Sequence, residues 1–156
     1  MARTKRVSLI ALAVIATSCN HSGPIDTDRE DVLAILAALD DRSLSVEAQL
    51  ENYREDAVIL APNEPEFRGT DAIREHLSGF GEGVEILTRH EIVNFDRFED
   101  LIAVQGRVIG TAQPEGDTTI YEFETKNLIL FRPTEKTGDL KIWKVIYNAA
   151  PASTDS

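Results

Sequence analysis

A single cysteine, Cys19, leaves the chain without an internal disulfide and rules out a cysteine-rich metal site. The three histidines, His21, His76 and His90, are scattered, and no HExxH or comparable ligand spacing occurs. The residues thus offer no metal site. A glycine-rich phosphate loop is absent too, and no cofactor is implied. After Arg6 there is no basic run, and 27 acids face 16 bases. Phosphate backbones need clustered Lys and Arg, so nucleic acid is not the expected partner. No apolar stretch reaches the roughly 20 residues that a membrane-spanning helix needs.

What remains is enough for one domain. The chain has 156 residues, of which 42% are hydrophobic, so a single packed core is expected. Its first residues read as a leader. Arg3, Lys5 and Arg6 form a basic start, and Val7 to Thr17 is an apolar run of 11 residues ending at Ala16-Thr17-Ser18-Cys19. This ending resembles a bacterial lipobox, with Ala16 where leucine is usual. Residues 1–18 are then a lipoprotein signal peptide, Cys19 the lipidation site and 19–26 a tether. The alternative is an ordinary secretory leader with Cys19 incidental. Acyl chains on Cys19 would anchor the protein to a membrane. Asn20, following the cysteine, implies the outer membrane, facing the periplasm.

Residues 27–150 read as an α+β domain, and 151–156 as a disordered tail. Thr27 and Glu30 fit a capping box, followed by an apolar stripe of Val32, Ile35, Leu36 and Leu39. Asp40-Asp41-Arg42-Ser43 breaks that run. A second helix is expected from Ser45, with Val46, Leu50 and Tyr53 on one face. Ala57–Leu60 is a short strand, and a third helix opens at Gly69 with Thr70 as its cap. From residue 84 the period changes to two, and segments 84–95, 101–112, 119–131 and 140–148 read as strands joined by short links. An antiparallel sheet follows, with its last strand central.

Tyr53-Arg54-Glu55-Asp56-Ala57-Val58, then Phe67-Arg68-Gly69-Thr70-Asp71-Ala72-Ile73-Arg74, and the late Trp143-Lys144-Val145-Ile146, resemble the nuclear-transport-factor-2-like superfamily in its SnoaL-like and ketosteroid-isomerase-like branches. The resemblance implies a cone: a curved antiparallel sheet wrapped by about three helices, with a pocket inside and, in many members, dimerisation through the sheet. It also places the general base of ketosteroid isomerase at Ala61, which cannot move a proton.

His90 is then the remaining candidate for acid–base chemistry, sharing strand parity with Val84, Ile86 and Ile92. A hydrogen-bonded core histidine is the other reading. Thr125 and Asn127 lie on the face of Tyr121 and Phe123 and need polar partners there. Asn148 or Tyr147 joins them from the last strand, Tyr53 offers a hydroxyl from the second helix, and Trp143 is core or a stacking surface. Three functions stay open: a binding or accessory lipoprotein without catalysis, which the missing base favours; an isomerase, dehydratase or cyclase using His90; and a self-associating scaffold. For the first, a small apolar or amphipathic ligand is expected.

Overall fold

Period-two patterning after residue 83 becomes four long strands, and the rest of the chain is arranged around them. A computed structural model describes residues 24–149; the leader, Cys19, most of the tether and the 151–156 tail lie outside the described residues. The elements are α1 (Pro24–Asp40), α2 (Val46–Leu50), β1 (Tyr53–Leu60), β2 (Phe67–Arg68), α3 (Gly69–Gly79), β3 (Val84–Phe98), β4 (Leu101–Pro114), β5 (Tyr121–Pro133) and β6 (Leu140–Ala149). They build one sheet in the order β2-β1-β6-β5-β4-β3. The expected α+β class and central last strand are both present. Among the described residues no helix is long and apolar enough to cross a membrane.

Local details depart from the sequence expectations in four places. Helix α1 starts at Pro24, ahead of the Thr27 capping box, because proline lacks an N–H and costs nothing in a first helical turn. Helix α2 begins as expected, with the Ser45 hydroxyl accepting from Ala48 N at 3.2 Å, but it ends at Leu50. Tyr53 is therefore the first residue of β1, where pairing with Ile142 recruits it into the sheet. At α3 the cap position falls on Arg68, with no side-chain cap, and Thr70 is already helical. Finally, the sheet is not wholly antiparallel: β1 runs parallel to β6, the long connection through β2, α3 and β3 to β5 giving the crossover that a parallel pair needs.

The inner face of the sheet has a packed end and an open end. Val32, Ile35 and Leu36 of α1 meet Ile102, Val104, Ile129, Phe131 and Ile142 at the packed end, all buried, while Ile73 of α3 closes the side. Toward the other end, β4 presents Gly106, Val108 and Gly110 inward. A Cβ at Gly106 would lie 2.6 Å from Asn127 Oδ1, and one at Gly110 would lie 2.6 Å from Phe123 Cζ. The side chains of β5 lean over β4 there, and only glycine permits the approach. Beside Gly106, which pairs with Ile92, β3 carries an irregularity between Ile92 and Asn94.

Phe131 is fully buried at the packed end. Phe131→Ala is expected to cost about 3–5 kcal/mol, read as a lower urea midpoint with little change in slope.

Candidate functional site

The open end of the cone holds a cavity of about 280 Å³ with a largely apolar lining. Strand period and register decide what enters it. On β3 the inward positions are Ile86, Thr88 and His90; on β5 they are Phe123, Thr125, Asn127 and Ile129; on β6, Val145 and Tyr147. Cross-strand register aligns His90 with Val108 and Val108 with Thr125, while Gly106, Asn127 and Tyr147 form the next row. His90 and Thr125 thus stand two strand spacings apart, about 10 Å, across the floor of the cavity.

His90 is held by Asp40, the last residue of α1. Its ring Nδ1 lies 2.7 Å from Asp40 Oδ1, and its backbone N–H donates to Asp40 Oδ2 at 2.8 Å. A carboxylate can only accept, so Nδ1 is the donating nitrogen and Nε2 carries the lone pair of the neutral ring. Both oxygens of Asp40 are used, which fixes the imidazole in one orientation. The carboxyl sits at the negative end of a helix with no basic residue in its last turn. That is an unfavourable place for an acid unless a partner compensates.

The opposite wall carries neutral donors. Burial, with Tyr147 nearby, raises the Tyr53 hydroxyl above its ordinary pKa. Burial, then the Glu64 carboxylate, does the same for Tyr147. Both phenols keep their protons at physiological pH and can donate to a ligand oxygen. Asn127 is 7% exposed, and its Oδ1 is buried without a hydrogen-bond partner. An unmet buried acceptor costs about 1–3 kcal/mol, and a ligand or water in the cavity relieves it. A second imidazole, His76 of α3, stacks on Phe67 with ring centroids 4.3 Å apart, its Nδ1 3.7 Å from Glu64 Oε2. Burial lowers its pKa, partly offset by Glu64. Among the described residues no three His, Cys, Asp or Glu side chains converge as a metal site requires.

Four sequence candidates, Tyr53, His90, Thr125 and Asn127, line this cavity together. Two do not. Asn148 points outward and is exposed, and its neighbour Tyr147 takes the inward place. Trp143 lies outside the cavity, with Arg132 4.0 Å and Lys144 4.2 Å from its ring centroid. The cause is a register shift between Leu130 and Phe131, which lets Ile142 and Val145 both face inward and turns Trp143 away. Ala61 is buried and lines no part of the cavity. Sequence reasoning missed Asp40, His76, Gln49 and Arg42. Two acids ending a helix at Asp40-Asp41, against its dipole, were the legible sign of the first. Nothing in the period marks the others.

In sequence, no family model and no curated protein matches the chain. Solved structures do. A ketosteroid isomerase-like protein from Erwinia carotovora atroseptica superposes with a TM-score of 0.68 at 21% identity, covering 79% of this chain and 94% of that one. An NTF2-like protein with a cystatin-like fold from Novosphingobium aromaticivorans gives 0.64 at 14% identity, over 81% and 82% of the two chains. The chain has the nuclear-transport-factor-2-like cone fold. A hexachlorocyclohexane dehydrochlorinase from Novosphingobium barchaimii shares this cone, with a TM-score of 0.68 at 10% identity over 80% and 88%. At such identities the likeness speaks to the cone alone, which serves both binding and catalysis.

His76 gives the cone a pH signature. Its folded-state pKa is depressed, so the unfolded chain binds the proton more readily and stability falls as pH drops below the ordinary histidine value. Between about pH 7 and pH 5 the wild type is expected to lose stability, and His76→Gln to flatten that part of the slope in denaturant titrations.

Proposed function

We propose that this protein is a small-molecule enzyme of the proton-transfer kind, an isomerase or lyase in which His90 is the general base. The observation that carries this reading is the Asp40–His90 pair at the wall of an apolar cavity. His90 Nε2 takes a proton from a substrate carbon. The electron pair left behind either enters an adjacent carbonyl as an enolate or expels a leaving group from the next carbon. Asp40 stabilises the imidazolium formed, much as an orienting carboxylate does in other His-centred sites. Asn127, Tyr53 and Tyr147 supply donors for the oxygen on which charge develops. The missing base at Ala61 had favoured binding without catalysis; a base from a different strand, with its own carboxylate, supports the catalytic reading instead.

Deuterium uptake in D2O tests this, with a panel of ketones and of β-hydroxy and β-halo carbonyl compounds followed by NMR. For any compound exchanged or eliminated, His90→Gln is expected to lower the rate by about 10²–10⁴-fold, and Asp40→Asn to lower it as well. A rate untouched by His90→Gln sinks the proposal.

We further propose that the cone is exported and held at a membrane by lipid on Cys19, on the strength of the leader alone. Full-length protein is expected in the detergent phase after phase separation, and Cys19→Ser in the aqueous phase.

A further inference from the structure

The cavity is apolar, yet one cation stands among the residues that line it. Arg42 belongs to the α1–α2 turn, two residues after Asp40. Its guanidinium carbon lies 5.2 Å from the centroid of the Phe80 ring, and NH2 donates to Phe80 O at 3.3 Å. These contacts hold the group beside the mouth while using one of its five N–H donors. Neither neighbouring acid neutralises it. Asp40 is engaged with both oxygens on His90, and Asp41 Oδ1 accepts from Ser43 N at 2.9 Å and Ser43 Oγ at 2.6 Å.

This is unusual for the chain. Seven of the nine arginines in the described residues have a carboxylate within 4 Å. The two without one are Arg29, which covers the Phe95 ring away from the cavity, and Arg42. With 27 acids against 16 bases, an arginine that meets no acid at a cavity mouth stands out against its surroundings.

We propose that the ligand of this cavity is a small amphipathic carboxylate whose anionic group is bound by Arg42 at the mouth and whose apolar body fills the cone. The proposal rests on the cavity being the substrate site. A planar guanidinium with unused parallel N–H groups suits a carboxylate, which it grips at two points. Placing the anion on the turn that also carries Asp40 leaves the apolar remainder of the ligand to run inward past His90 toward Asn127. The acidic surface disfavours anions at long range, but at physiological ionic strength that effect fades beyond about 8 Å, and the local cation decides.

Isothermal titration of the whole domain with octanoate and with octan-1-ol tests this. The two probes share an apolar tail and differ in charge. In the wild type octanoate is expected to bind more tightly. Arg42→Gln is expected to weaken octanoate about tenfold, leaving octanol unchanged, with Arg42→Lys intermediate. Equal octanoate affinity in wild type and Arg42→Gln overturns the proposal. So does a carboxylate preference that survives Arg42→Gln and disappears in His90→Gln. Binding of octanol without octanoate removes the anionic ligand and leaves the cavity reading standing. Failure of both probes to bind counts against both.

Discussion

Two oxygens of one carboxylate tie the helical layer to the sheet. Asp40 ends α1 and accepts from both the backbone and the ring of His90 on β3, so the helix that packs one end of the cone also orients the imidazole at the other. The apolar stripe, the Asp28–Arg97 ion pair and Arg29 over Phe95 also hold α1 to the sheet, but without the Asp40 link a carboxyl at the helix C-terminus would be a net cost. With it, the depth of the cavity, the orientation of the histidine and the position of the α1–α2 turn are fixed together. Residues as far apart in sequence as Val32, Arg42 and His90 therefore answer to one interaction.

The cone is closed by packing at one end and kept open by subtraction at the other. Phe131, Ile129 and Ile142 fill the space beneath α1. Further along the same strands, β4 withdraws its side chains at Gly106 and Gly110, and β5 offers Thr125 and Asn127 where bulk would otherwise close the gap. A buried asparagine is tolerated there because the space beside it admits a polar partner.

Strand parity was the most readable part of the site. Alternation along residues 84–95 and 121–131 put His90, Thr125 and Asn127 on the inner face, and all three line the cavity. It gives no guidance at Trp143, because Leu130 pairs with Lys144 and Phe131 with Ile142, so Trp143 is the extra residue of an irregularity in β6, and such a shift leaves no mark in composition. Residues 142–146 are apolar on both faces but for Lys144, so alternation alone does not choose between Tyr147 and Asn148. Asp40 opens the four residues that break the first helical run and is the last residue of α1; its bond to His90 spans 50 residues and no local pattern carries such a pairing. The Tyr53 misplacement is of another kind. Its spacing from Val46 and Leu50 suits a helix, and only a strand arriving from the far end of the chain takes it away.

That arrival sets an order of events. Strand β1 has the two-residue β2 on one side and β6 on the other, with Tyr53 beside Ile142 and Leu60 beside Ile146. Until the last strand is made, the segment after the helices has almost nothing to pair with, and the cone cannot shut. Assembly therefore waits on pairing between segments far apart in sequence, the slow kind of topology. A chain made from its N-terminus can pair β3, β4 and β5 early, yet β1 stays without its main partner until β6 has been synthesised.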